Sequence, residues 1–166
     1  VTKEFAMNAT ISAAVDSYRI NTASFEQALD NIPADDTFHR PMDKGNTVNF
    51  VAGHMVASRY LVANVVGLKD EFAFGNLYDR GAKVTDNSAY PSLDEIKKAW
   101  NDITPKLMKR LEEATTEELS AKPPFEVPYV ENTVGGIVSF LAWHESTHIG
   151  QLAYLGRLYG DTQLFG

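Results

Sequence analysis

The chain has four histidines and no cysteine, so any transition metal it binds must be held by nitrogen and oxygen ligands. Two of the histidines, His144 and His148, stand four residues apart in Leu141-Ala142-Trp143-His144-Glu145-Ser146-Thr147-His148. On a helix that spacing turns one about 40° from the other and lifts it roughly 6 Å along the axis, so both share a face. Two imidazoles so placed can close on one ion at the roughly 2.0–2.1 Å that zinc–nitrogen bonds require. They also fall on the apolar stripe Val134, Ile137, Val138, Leu141, Leu152 and Leu155, which points them at the interior. His54 falls on a second stripe, with Val51, Met55, Ser58, Leu61, Val62 and Val65. A shared metal site is the reading of three inward-facing histidines, against the plainer alternative of separate hydrogen-bonded core histidines. His39 falls in a loop and reads as solvated.

The same stretch spells His-Glu-x-x-His, the signature in which a metallopeptidase uses the glutamate as a general base. That reading needs a third ligand downstream. After His148 the chain contains no further His or Glu, and Asp161 is its only carboxylate; a peptidase is disfavoured. Glu145 is left as a weak catalytic candidate, able to orient an imidazole or act as a base, against an interhelical or solvated carboxylate. Gln151, three residues beyond His148, suits a supporting hydrogen bond to an imidazole, with packing as the alternative. Gly150 is read as permitting close helix approach. Arg59 is read as a surface arginine, with recognition of an acidic substrate as the alternative.

Positioning these residues requires helices, and four segments have the pattern. The first runs from about Glu4 to Leu29, and the second from an Asn46 or Thr47 cap to Val66, closed by Gly67. Ser92 with Glu95 forms a capping-box pattern that opens a third, carried by Ile96, Trp100, Ile103, Leu107 and Leu111 to about Glu113. The fourth starts at Asn132 or Thr133 and ends near Gly160. Residues 68–91 form a long, weakly patterned connection, and a Pro-rich connector with Pro123, Pro124 and Pro128 precedes the last helix. Short β-like pieces such as Phe125 to Val130 could pair as a small edge feature but are too few for a sheet-based fold. The expected fold is all-α, a four-helix bundle with its long crossover between the second and third helices.

A length of 166 residues fits one domain spanning 1–166, large enough to bury roughly 70% of its unfolded surface. Net charge is −7, from 15 basic and 22 acidic residues, which opposes binding to phosphate backbones; no nucleic acid is expected. No run of about 20 apolar residues offers a membrane span. Val1 to Met7 carries no basic region followed by an apolar run, so a cytoplasmic location is expected.

The motifs Gly45-Asn46-Thr47, Gly53-His54-Met55-Val56-Ala57-Ser58-Arg59 and His144-Glu145-Ser146-Thr147-His148-Ile149-Gly150-Gln151-Leu152, followed by Leu155-Gly156-Arg157-Leu158-Tyr159-Gly160, resemble the DinB/YfiT-like family of metal-dependent enzymes over nearly the whole chain. The resemblance implies a bundle in which one histidine of the second helix and a pair four apart on the last form a metal-binding triad. All three positions are histidine here. It further implies a thiol transferase or isomerase that takes a low-molecular-weight thiol as cosubstrate. Three neutral ligands leave positions open, as in a catalytic site, and such a site lowers the pKa of a thiol or water. Zn²⁺ or Ni²⁺ suits the triad first, with Fe²⁺ or Mn²⁺ also compatible. The function expected is therefore a metal-dependent enzyme, transferase- or hydrolase-like, acting on a small-molecule substrate and able to pair as a homodimer. The alternatives are a non-catalytic metal- or ligand-binding bundle, and one whose triad serves only stability and dimerisation.

Overall fold

The structure is a computed structural model, and it describes residues 8–79, 81–82 and 86–164. The expected start of the first helix at Glu4 lies outside them. Four long helices carry the fold: α1 (Ser12–Leu29), α2 (Val48–Val65), α3 (Leu93–Glu113) and α5 (Val134–Tyr159), with a short α4 (Thr116–Ser120) between the last two. The fold is all-α, and no strand occurs among the described residues. The β-like Phe125 to Val130 is irregular chain.

Local chemistry sets the helix starts. Thr47, Ser92 and Thr133 cap α2, α3 and α5 by accepting from the backbone N–H three residues on, which satisfies one of the orphan donors of a first turn. At Ser92 the Glu95 carboxylate completes a capping box. The same device, Thr115 with Glu118, starts α4, a helix the sequence reading passed over as connector. Arg110 then holds this end together, donating to the Val66 carbonyl just past α2 and pairing with Glu118.

Helix α1 packs on α5, and α2 packs on both α3 and α5. The core falls into two apolar clusters. One gathers Val15, Tyr18, Val62, Ile103, Leu107 and Val138; the other gathers Phe25, Val51, Met55, Trp100, Ile149 and Leu152. Between them lies a polar layer centred on Arg59 and Glu145, each only 1% exposed. Arg59 is therefore not the surface residue the sequence suggests. On α5 the buried stripe passes through Leu141, Ala142, Glu145, Ile149 and Leu152, so Glu145 takes its centre and the histidines move to its edge.

The connection between α2 and α3 is packed back onto α2. A 3₁₀ turn, Gly75–Tyr78, places the Tyr78 ring in the core, with its hydroxyl donating to Asn49 Oδ1 at 2.9 Å. Asn49 in turn donates to the Pro91 carbonyl at 2.7 Å, which ties the middle and the far end of the segment to α2. Room for the ring comes from Gly53: a Cβ there would sit 2.1 Å from Tyr78 Cζ. Gly150, by contrast, is exposed and a Cβ would meet nothing within 4 Å. It does not serve close helix approach; Gly156 does, with a would-be Cβ 2.5 Å from the Ala28 carbonyl oxygen. No described helix is long and apolar enough to cross a membrane.

Because backbone and ring cannot share that space, Gly53→Ala is expected to destabilise the fold by about 1–3 kcal/mol, the usual cost of overpacking. The shift in urea midpoint should exceed that of Gly150→Ala, which gains helix propensity without a clash.

Candidate metal centre

Helix α2 supplies His54, and α5 supplies His144 and His148. Their ring planes are inclined to one another by 70–78°, so each presents an edge to the others. The edges that meet are the Nε2 atoms: His144 Nε2 lies 3.3 Å from that of His54 and 3.1 Å from that of His148. Each of the first two rings is backed, four residues earlier, by a phenyl ring, Phe50 for His54 at an inclination of 5° and Phe140 for His144 at 26°. One residue of each triad helix therefore leans on the preceding turn, as side chains four apart do.

The outer nitrogens settle the proton positions. His54 Nδ1–H donates to the Tyr78 carbonyl at 2.9 Å, and His148 Nδ1–H donates to Gln151 Oε1 at 2.9 Å. Both rings thus turn an unprotonated Nε2 toward His144. His144 cannot satisfy both with a single Nε2 proton, and its own Nδ1 is buried without a partner. Lone pairs are left facing lone pairs unless a cation stands among them. Nitrogens held about 2.0–2.1 Å from a tetrahedral zinc are roughly 3.3–3.4 Å apart, close to the two separations seen. The donor set and its spacing fit a divalent transition ion. Among the described residues no other His, Asp or Glu joins the cluster.

Electrostatics favour the neutral, ligating form. Burial pushes the His144 imidazole down to about 4, with His148 and then His54 adding to the effect. Burial also lowers His148, against the Gln151 hydrogen bond, which raises it. His39 is remote from this cluster and pairs with Asp36.

The triad forms part of the wall of an open cavity of about 910 Å³. Aromatic rings of Phe50, Tyr60, Phe72, Phe125 and Phe140 also line it, together with Asp70, Glu71 and Asp79. Tyr60, Phe72, Asp70, Glu71 and Asp79 belong to α2 or the long connection, so residues 68–91 help to build the cavity. Glu145 does not line it. Both its oxygens are taken by Arg59, at 2.6 Å and 3.0 Å; burial pushes its carboxyl up against the downward pull of that guanidinium. Glu145 is an interhelical carboxylate. Sequence reasoning missed Arg59 and Tyr78. A basic residue five positions after a histidine of the triad, with a single acidic residue on the last helix available to pair with it, was a signal for the first. A carbonyl partner leaves no sequence signal.

The family model of the DinB superfamily matches residues 17–152, a span that contains all three histidines. No curated protein matches the chain.

Alanine at His54, His144 or His148 is expected to cut bound metal at least tenfold by elemental analysis of untagged protein, while His39→Ala retains it. Stoichiometric metal in His148→Ala would refute the shared site. A second expectation concerns protons. Between the ordinary imidazole value of 6.5 and about 4, the unfolded chain takes a proton at His144 that the folded, metal-free chain does not. His144 therefore favours folding fully above pH 6.5, and this contribution is lost as pH falls through about 4. A proton NMR titration of the His144 ring in metal-free protein should have its midpoint near 4; one at or above 6.5 would contradict the burial.

Proposed function

Given that the chain belongs to the DinB superfamily, we propose that it is a metal-dependent enzyme of the thiol-transferase or hydrolase sort, with His54, His144 and His148 holding one divalent ion. The observation that carries this reading is the convergence of three Nε2 atoms on the wall of an open cavity, with no fourth protein ligand among the described residues. An ion held by three neutral imidazoles lowers the pKa of a thiol or water in its open positions toward neutrality. Zn²⁺ and Ni²⁺ suit such a donor set best.

The chain's own residues take the supporting parts. The Tyr78 carbonyl and Gln151 hold protons on the outer nitrogens of His54 and His148, which keeps the inner lone pairs available and fixes ring orientation. The aromatic wall covers apolar parts of a small-molecule substrate and sheds water. Glu71 and Asp79 on the wall disfavour anionic substrates beside it, whereas the Asp70 carboxylate is paired with Lys106. The nucleophile is exogenous: there is no cysteine, so a thiol must arrive as cosubstrate. Ser146 and Thr147 donate to the Ala142 and Trp143 carbonyls at 3.0 Å and 3.1 Å, the usual fate of a mid-helix hydroxyl. Glu145, locked to Arg59, is not the base.

Zinc- or nickel-loaded protein is expected to turn over an electrophile with a low-molecular-weight thiol, or to hydrolyse an activated ester. The activity should vanish on chelation and in His148→Ala, and no covalent adduct on Ser146 or Thr147 should appear by intact mass. Tight stoichiometric metal with no turnover across thiols and esters would instead support a non-catalytic binding protein.

A further inference from the structure

We propose that the buried Arg59–Glu145 pair is the positioning element of the metal centre, holding the ligand-bearing faces of α2 and α5 at the separation that brings His54 to His144. The proposal rests on the reading of the three histidines as one metal site. Its premise is a placement: Glu145 follows His144 directly, and Arg59 lies five residues beyond His54 on the same helix. Among the described residues, the only hydrogen-bonded charge pair between α2 and α5 therefore stands within about one turn of each histidine.

Arg59 is held without slack. Nε and Nη2 grip the two Glu145 oxygens at 3.0 Å and 2.6 Å. The remaining Nη2 hydrogen reaches the Tyr18 carbonyl at 3.3 Å, and Nη1 donates to Thr22 and Thr104 Oγ1 at 3.0 Å and 2.7 Å. All five donors are used. The two threonine hydroxyls cannot swing away, because each donates to its own helix, to Tyr18 O at 2.7 Å and Trp100 O at 2.6 Å. The guanidinium carbon lies 3.4 Å from the centroid of the Trp100 ring, and that ring is itself stacked on Phe25.

Apolar contacts between helices tolerate small slides and rotations, whereas a guanidinium–carboxylate fork fixes distance and plane together. Ligand sets need that restraint, since displacements beyond about 0.5 Å degrade a metal site. Neither Arg59 nor Glu145 lines the cavity, so neither contacts substrate there. Their influence on the centre is transmitted through the backbone of α2 and α5.

The experiment measures Zn²⁺ affinity and the visible absorption of Co²⁺-substituted protein, which reports coordination geometry independently of turnover. The charge-free double variant Arg59→Met/Glu145→Leu is expected to stay helical, to bind Zn²⁺ about 10–100-fold more weakly, as loss of outer support to metal ligands does, and to change the Co²⁺ spectrum. Glu145→Gln, which preserves shape, should shift both readouts the same way by a smaller factor, and Arg59→Lys should not preserve the wild-type spectrum. Leu107→Ala, which opens space in an apolar cluster but removes no hydrogen bond of the pair, should leave affinity and spectrum unchanged. Wild-type affinity and spectrum in a folded double variant would overturn the proposal. If that variant does not fold, the same result in Glu145→Gln overturns it; so does a spectral shift in Leu107→Ala equal to that of Glu145→Gln. Absence of metal from the wild type would instead overturn the metal-site reading, and with it this one.

Discussion

A guanidinium with no access to water must place five N–H donors, and the four long helices of this protein meet where Arg59 does so. Glu145 comes from α5, Thr22 and the Tyr18 carbonyl from α1, and Thr104 and the Trp100 ring from α3. Removing a charge pair from water is expensive enough that such pairs seldom add net stability. Losing one partner, however, strands the other at a cost of about 3–5 kcal/mol. The arrangement therefore selects among packings more than it deepens the native one. A slide of any helix by one turn would keep most apolar contacts but leave donors unsatisfied. The polar layer divides two apolar clusters, as a single polar position sets register in a coiled coil.

This constraint also decides where the histidines go. With Glu145 at the centre of the buried stripe of α5, His144 is rotated about 100° away and His148 to the same side. They occupy the boundary between core and cavity, half-buried rather than enclosed. That boundary is the useful place for ligands. Burial is sufficient to keep His144 neutral far below the ordinary imidazole range, and the cavity leaves an approach for a second molecule. A histidine at the stripe centre would be neutral and unreachable; one on the outer face would be reachable and protonated in mild acid.

Most of the architecture was legible because it is written in local chemistry. Thr47, Ser92 and Thr133 are cap residues in sequence and caps in structure, and the spacing of Ile96, Trp100, Ile103, Leu107 and Leu111 is the buried face of α3. The triad was legible for the same reason, since four-residue spacing on one helix is itself geometry. Arg59 and Glu145 were misjudged or left undecided because charge is ordinarily a surface signal, and the partner that overrides it lies 86 positions away. Gly150 was given a packing role that belongs to Gly53 and Gly156. Periodicity places a glycine on a helix but not against a neighbour. The short α4 was hidden by its length, although its capping box was in plain view.

Tyr78 shows how the remaining segment joins the site. Its ring is anchored in the core through Asn49 and the space at Gly53, while its carbonyl fixes the tautomer of His54. One residue of a connection thus orients His54, a histidine carried by a helix, from outside that helix. Residues nearby in the same segment, Phe72 and Asp79 among them, line the cavity. The helices hold the three histidines and their spacing, and the connection sets tautomer and wall. Changes in the wall residues can then alter what enters the cavity without disturbing the histidines, provided Gly53, Asn49 and Tyr78 keep the anchor in place.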